Sequence, residues 1–296
     1  MKKHGPLLIA LIFFHLPLWC QGGLLDLIET DKEETVYTTA SFKTNRVINQ
    51  HSIVNTYRGV LDVKIGHRFG FINGGIRTFF GLDNATVRLG ADYGLTDHLQ
   101  MGLGRSSFQK TVDGYAKYRL LRQSTGAREM PLTLSLFTAA AIRTDPWEIN
   151  GAEVPVQSRL NYTFQLIAGR KFSDFFSLQL SPTLVHRNLV PNDEIAHDVI
   201  ALGSGARFRL SRRVTLNLEY HYVFPDQLEE GFRNSASVGL DIETGGHVFQ
   251  LHFTNSTAMI EHGFITQTTG DWAGGGVHFG FNIARVFTIV RPELPE

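Results

Sequence analysis

Histidine is the residue type whose number most suggests site chemistry in this sequence. The chain contains 12 His residues, enough for a metal or haem site if several met in space. The spacing does not favour such a site, because the sequence has no Cys-x-x-Cys-His and no His-Glu-x-x-His motif. His247 and His252 lie five residues apart and would face opposite sides of one strand. The sequence therefore predicts no metal site and no cofactor.

A serine nucleophile would be the second possible chemistry. Ser106 and Ser107 could serve, with one of the His residues as the base. Neither serine lies in the Gly-x-Ser-x-Gly pattern of a nucleophile elbow. Gly102 and Gly104 have the spacing of a phosphate loop, but they fall inside an alternating segment and indicate a bend. The sequence predicts no catalytic residues, and hence a protein that is not an enzyme.

Charged residues occupy alternate positions in otherwise apolar segments. The chain has 28 Lys and Arg against 28 Asp and Glu, a balance that argues against a nucleic-acid partner. In a closed barrel, one face of each segment would point into the lumen. Charges there could pair across a narrow lumen or line a polar pore, and both alternatives stay open. The predicted lumen-lining residues are Asp62, Lys64, Arg68, Arg88, Asp92, Lys117, Arg119, Arg159, Arg207, Glu219, Asp241 and Glu243.

The elements that would carry these residues are about twelve segments with period-2 alternation of apolar and polar residues. Such alternation is typical of strands with two unlike faces. Most segments approach the ~9–11 residues that a tilted strand needs to cross a bilayer. The segments are 60–69, 85–93, 98–107, 112–121, 131–143, 158–170, 175–186, 198–210, 213–223, 235–243, 247–255 and 277–287.

The connections between these segments alternate between short and long. Short turns such as 95–98 and 244–246 carry Ser, Thr, Asp or Gly, which are turn-forming residues. Connections such as 144–157, 187–197 and 256–276 are much longer. Short periplasmic turns and longer extracellular loops are typical of outer-membrane barrels. We therefore predict an all-β fold, an antiparallel transmembrane β-barrel of about 12 strands, with 10 or 14 as alternatives.

The N-terminal residues predict export. Lys2 and Lys3 precede an apolar run from Leu7 to Trp19 that has the length of a signal-peptide core. Cleavage after Cys20 would remove the only Cys of the chain, whereas acylation of Cys20 as a lipoprotein is the alternative.

These features divide the chain into four parts. Residues 1–20 are the predicted signal peptide, and residues 57–288 are the predicted barrel. Residues 289–296 form a C-terminal tail. Residues 21–56 are a periplasmic lead-in or N-terminal segment, in which an extra strand, a periplasmic rim and a segment folded into the lumen remain alternatives.

Several segments resemble a Bacteroidota outer-membrane β-barrel family that is catalogued as a domain of unknown function. The likeness covers about residues 36–287. It implies the same fold and membrane location, and it supplies no activity, substrate or site residue. The segments that carry it include Ala40-Ser41-Phe42-Lys43-Thr44, His67-Arg68-Phe69-Gly70, Phe80-Gly81-Leu82-Asp83-Asn84-Ala85, Asp92-Tyr93-Gly94-Leu95-Thr96-Asp97 and Gly246-His247-Val248-Phe249-Gln250.

The predicted location is the cell outer membrane. The expected partners are outer-membrane lipid and, during assembly, the barrel-insertion machinery, with no nucleic acid. The predicted function is that of a non-enzymatic barrel, either structural or a passive porin-like channel for small solutes. The alternative is a surface binding or assembly module that uses its extracellular loops, above all residues 256–276.

Overall fold

The structure is a computed structural model that describes residues 34–149, 151–190, 192 and 195–291. The predicted signal peptide and most of the predicted C-terminal tail lie outside the described residues. Among the residues described, no helix is both long enough and apolar enough to cross a membrane.

Twelve antiparallel strands form one closed barrel, in which each strand pairs with its neighbours in sequence and the last pairs with the first. The predicted all-β barrel of 12 strands is confirmed, and the strand bounds differ from the predicted ones by two residues or fewer. The strands are β1 (Val60–Phe71), β2 (Ala85–Gly94), β3 (Leu99–Ser106), β4 (Val112–Leu121), β5 (Thr133–Ile142), β6 (Leu160–Lys171), β7 (Phe176–Arg187), β8 (Asp198–Arg209), β9 (Val214–Val223), β10 (Ala236–Thr244), β11 (His247–Thr254) and β12 (His278–Thr288).

Each barrel strand has one apolar face and one largely polar face. In β9, Leu218 and Tyr220 lie on the exposed outer surface. Asn217, Glu219 and His221 alternate with them and are buried inside. Successive side chains of a strand point to opposite faces, so the period-2 sequence produces an apolar outer wall and a polar inner wall. An apolar outer band is the surface that lipid requires.

Short and long connections lie at opposite ends of the barrel. At the short-turn end, residues 95–98, 172–175, 210–213 and 245–246 join neighbouring strands. Gly245 and Gly246 have φ values of 44° and 129°, a left-handed backbone that a tight hairpin turn requires and that favours glycine. The long-loop end carries residues 143–159, 188–197, 224–235 and 255–277.

Residues 38–57, which we call the plug, lie in the lumen and enter it from the short-turn end. Arg46 and His51 form an isolated antiparallel bridge, and the Val47 N–H donates to the Gln50 carbonyl at 2.9 Å. These contacts turn the plug back on itself. Val47 and Gln50 at its tip have no exposed surface. The part of the predicted N-terminal segment that the structure describes is therefore mostly inside the barrel.

The loop at residues 255–277, the inner loop, fills the lumen from the long-loop end. It contains a short helix, α1 (Glu261–Thr266), whose residues are all buried. The Phe264 ring lies 4.8 Å from the His221 ring of β9. The interpretation of residues 256–276 as a surface loop is corrected for the part from Ala258 to Thr266, which is buried in the lumen, whereas Trp272, Ala273 and Gly274 are exposed.

The two-faced wall predicts a depth-dependent cost for a charge on its outer surface. Leu166 lies on the outer face in the middle of β6, and Leu210 lies in a turn at the barrel end. We expect Leu166→Arg to destabilise the lipid-embedded barrel by about 2–4 kcal/mol, against ~0–1 kcal/mol for Leu210→Arg. Urea unfolding in phospholipid vesicles measures both. Equal costs at the two positions would contradict a lipid-facing outer wall.

Candidate functional site

The tip of the plug is anchored by Glu219, an inward residue of β9. Its Oε2 accepts the backbone N–H groups of Ile48, Asn49 and Gln50 at 3.0, 2.9 and 3.0 Å. Glu219 is 3% exposed, so these donors replace the water that the carboxylate has lost. Successive N–H groups of a turn form a concave anion site, which the carboxylate fills here. The contact fixes the tip at one height in the lumen.

Polar side chains from other strands bind the two arms of the plug. On β7, Gln179 Oε1 accepts the Ile53 N–H at 3.0 Å and its Nε2 donates to the His51 carbonyl at 2.8 Å. On β11, Gln250 Nε2 donates to the Val47 carbonyl at 2.6 Å. Further bonds join Gln100 to Thr56, Lys117 to Ser52 and Val54, Arg207 to Ala40 and Ser41, Arg68 to Asn49, and Asp92 to Asn45.

Inward glycines leave the space that the plug occupies. A Cβ atom at Gly205 would lie 2.8 Å from Gln50 Nε2 and 3.0 Å from Val47 Cγ2. A Cβ at Gly169 would lie 2.9 Å from Ile53 Cγ2. Real Cβ atoms rarely approach other atoms so closely, and a packed interior has no spare volume to absorb them. These glycines therefore give the wall room for the plug, a role beyond the bending that the sequence suggested.

The predicted lumen-lining residues fall into three places. Arg159 is buried at the long-loop end, where its guanidinium donates to the carbonyls of Val154 and Asp145 at 2.7 and 3.1 Å. Arg119 and Glu243 lie at the short-turn end, and Glu243 is exposed. The remaining residues are buried in the barrel: Asp62, Lys64, Arg68, Arg88, Asp92, Lys117, Arg207, Glu219 and Asp241.

The structure brings some of these charges together and separates others. Lys64 Nζ lies 2.6 Å from a carboxylate oxygen of both Asp62 and Asp92. Arg88 pairs with Asp113, an inward residue of β4 that the sequence analysis did not single out. Of the other cations, Arg68, Lys117 and Arg207 bind an amide oxygen or backbone carbonyls of the plug. Some of the inward charges are thus paired within the wall, and others hold the plug.

The plug and the inner loop meet at an ion pair in the middle of the lumen. Arg46 Nη1 lies 3.1 Å from Glu261 Oε1, and His51 Nε2 lies 3.5 Å from the same oxygen. Burial, assisted by the Arg46 charge, holds the pKa of His51 well below its ordinary value, so His51 is neutral. Burial raises the pKa of Glu261. Arg46 is therefore the cation that pairs with Glu261 and links the two inserts.

Buried histidines pack against aromatic rings. The His51 ring lies 4.3 Å from the ring of Tyr115 and 4.5 Å from that of Phe137. Among the residues that the structure describes, no group of three or more His, Cys, Asp or Glu side chains could hold a metal ion. In the described lumen these histidines act as packing groups.

Comparisons with known proteins give one family and several similar folds. A family model described as a membrane bound beta barrel domain (DUF5777) matches residues 42–287. The chain is similar to the NanC porin, with 8% identity, TM-score 0.49, and coverage of 78% of this chain and 100% of that one. It is also similar to the KdgM porin, at 9% identity, TM-score 0.46, and 77% and 99% coverage. An outer membrane channel from Pseudomonas putida F1 gives 13% identity, TM-score 0.40, and 79% and 97% coverage. No curated protein matches the sequence.

Because Glu219 holds the plug tip, we expect its replacement to lower the protection of the tip against amide hydrogen exchange. Glu219→Gln replaces the charged acceptor of three N–H groups by one neutral carbonyl oxygen. A hydrogen bond to a charged group contributes ~1.5–3 kcal/mol, so amide hydrogen exchange at residues 48–50 should accelerate about 10- to 150-fold. Glu230→Gln, at an exposed loop position, is the matched control. Unchanged exchange at the tip in Glu219→Gln would show that the carboxylate does not hold it.

Burial of His262 in α1 predicts that acid weakens docking of the inner loop. Burial lowers the pKa of His262 to about 4, below its ordinary value of 6.5. The undocked loop therefore takes up a proton as pH falls below 6.5, whereas the docked loop does not until about pH 4. Docking should lose up to ~3 kcal/mol across this window. Glu261 works in the opposite direction, since its pKa is raised in the docked state.

Trp272 emission measures this docking, because its indole N–H donates to the Ala236 carbonyl at 3.2 Å. Replacing Trp19 and Trp147 by Phe leaves Trp272 as the only Trp of the chain. We expect the pH titration of this protein and that of its His262→Gln variant to diverge between pH 6.5 and 4. The Glu261 contribution is common to both, so the difference reports His262 alone. Superimposable curves would contradict the assignment.

Proposed function

We propose that this chain, which belongs to the membrane bound beta barrel domain family DUF5777, is a porin-like outer-membrane channel that its own plug keeps closed. In this proposal the barrel catalyses no reaction and passes small solutes when the plug leaves the lumen. Export by a cleaved signal peptide and an origin in Bacteroidota belong to the same proposal, on the strength of the sequence features given above.

The polar inner wall is the observation that supports a channel. A core that stays filled at all times is most stable when built from apolar side chains, because each buried polar group loses its water. This wall instead presents amide and charged groups to the plug on many strands, among them Gln100, Gln179 and Gln250. Water can bind the same groups once the plug leaves. The wall is therefore suited to both a filled and a hydrated lumen.

The connection of the plug to the barrel supports reversible closure. The plug enters at the short-turn end, where the Asn55 side chain donates to the His98 carbonyl at 3.0 Å and Lys43 bonds to the Arg212 carbonyl at 3.0 Å. Gly59 then leads directly into β1, its N–H bonded to the Gly94 carbonyl at 2.8 Å. The segment can thus move out through the end by which it entered without breaking the barrel.

The inner loop would also have to move when the plug leaves the lumen. Its contact with the plug is the Arg46–Glu261 pair, and its own apolar residues pack on the wall near the other end of the lumen. Departure of the plug would break the buried ion pair between Arg46 and Glu261, which costs energy until water reaches the carboxylate. We therefore expect the two inserts to move together.

Conductance in planar bilayers tests the channel. Wild-type protein should conduct rarely, whereas Glu219→Gln should raise the frequency of open events at least about tenfold, because the plug tip loses its charged acceptor. A Cys pair at positions 47 and 205 can lock the plug, because Val47→Cys removes the Cγ2 atom that a Cβ at Gly205 would approach to 3.0 Å and leaves the two Cβ atoms as neighbours. Comparison of the reduced pair with Glu219→Gln alone measures any displacement of the plug by the new side chain at position 205.

The lock provides the matched control. In a Cys20→Ser, Glu219→Gln background, oxidised V47C/G205C should be silent, and reduction should restore the open events. The single variants V47C and G205C should not respond to oxidation. A heat-modifiability gel shows that each barrel is folded. Silence of every variant, with all barrels folded, would overturn the channel proposal in favour of a purely structural barrel or a surface binding module.

A further inference from the structure

A polar cavity of about 60 Å³ lies at the short-turn end, between the plug and the wall. A water-sized probe needs ~10–15 Å³, so this space holds on the order of four or five heavy atoms. Both arms of the plug contribute, and the opposite side comes from the end of β4 and the turns beside it. The lining residues are Thr38, Thr39, Ala40, Ser41, Ile53, Val54, Asn55, Thr56, Tyr57, Asp97, Arg119, Arg122 and Thr133.

Two arginines face this cavity without a counter-charge bound to them. In the part of the chain that the structure describes, neither Arg119 nor Arg122 forms an ion pair. Arg119 Nη2 donates to the backbone carbonyl of Asp97, and its Nε has no acceptor among the described residues. The Arg122 guanidinium lies 4.6 Å above the ring of Tyr37. The Asp97 side chain also borders the cavity but is exposed to solvent, where its charge is screened.

Two like charges brought to one cavity repel each other, and an anion between them removes that cost. A planar guanidinium binds oxyanions through paired N–H donors, which makes carboxylate or phosphate the matching class.

Hydroxyl and amide groups complete the cavity. Thr38, Thr39 and Thr133 carry hydroxyl groups that can donate to an anion, and the Thr133 oxygen already accepts the Gln123 N–H at 3.0 Å. The Asn55 Oδ1 is buried without a partner among the described residues, and it can only accept a hydrogen bond. A ligand that satisfies this oxygen must carry a proton as well as a negative charge.

We propose that this cavity binds a phosphate group, and that the bound phosphate ties both arms of the plug to β4. Near neutral pH inorganic phosphate carries both acceptor oxygens for Arg119 and Arg122 and an O–H for Asn55. Sulfate has the same size and charge class but no proton, so it should bind more weakly. The phosphate can be a free ion or the phosphodiester of an anionic lipid headgroup such as phosphatidylglycerol, in which a glycerol hydroxyl group supplies the O–H that the phosphodiester lacks. This site does not require the barrel to conduct, and its test contains no conductance measurement.

The experiment uses the full chain in a zwitterionic detergent, titrated with inorganic phosphate at constant ionic strength. The readout is the midpoint of the heat-induced mobility shift of the barrel. Phosphate should raise this midpoint saturably for wild-type protein, more than sulfate or chloride does. Arg122→Gln should weaken the apparent affinity for phosphate at least about tenfold. Arg128→Gln is the control, because Arg128 lies exposed on the same connection and outside the cavity.

A second set of samples separates the two sources of phosphate. The same proteins are placed in phosphatidylcholine vesicles with and without phosphatidylglycerol, in phosphate-free buffer. An effect of phosphatidylglycerol that Arg122→Gln abolishes and Arg128→Gln preserves would assign the site to a lipid headgroup. Equal effects of phosphate, sulfate and chloride, or an Arg122→Gln response identical to the wild-type response in both sets, would overturn the site.

Discussion

A carboxylate buried inside a protein is stable in its charged form only when hydrogen-bond donors surround it, and the lumen of this barrel depends on one such arrangement. Glu219 has few donors on its own wall, and the tip of the plug has three backbone N–H groups directed at it. Each side removes the other's desolvation cost. If the tip moved, the carboxylate and the three N–H groups would all lose their hydrogen-bond partners. The tip therefore stays at one height, and this height determines where the two arms of the plug contact the wall.

The contents of the lumen follow from the size of the barrel. A wall of twelve strands encloses more space than its own inward side chains fill, since about eight strands suffice for a side-chain-filled interior. The plug and the inner loop take up the remaining volume from opposite ends. They meet at the Arg46–Glu261 ion pair, so the filled lumen requires both inserts to be in place at the same time. Inward glycines such as Gly205 supply the local room, which is why bulky side chains could not replace them.

The wall could be predicted from the sequence because a strand in a closed barrel has a periodic environment. Alternation located the twelve strands, and nine of the twelve side chains predicted to face the lumen are buried in the barrel, whereas Arg119, Arg159 and Glu243 lie at its ends. The plug could not be found in this way, because Asn45, Asn49 and Gln50 have the composition of a loop and are buried only through contacts with distant strands. The inner loop offered one unused signal, the apolar residues around Ile260 and Ile265, which a solvated loop would not carry.

Polar and apolar contacts contribute differently to the position of the plug and to the free energy that keeps it in the lumen. A hydrogen bond between plug and wall contributes only about 0.5–1.5 kcal/mol net, because water replaces it when the plug leaves. Apolar contacts have no such replacement, and the largest cluster of them packs Phe42, Val47 and Ile53 of the plug on Tyr115, Phe137 and Ile167 of the wall. Ile48 of the plug is also buried, outside this cluster. Burial of each large side chain contributes roughly 1.5–3 kcal/mol. The polar contacts therefore determine where the plug sits, and burial of its apolar side chains adds to the free energy that keeps it there.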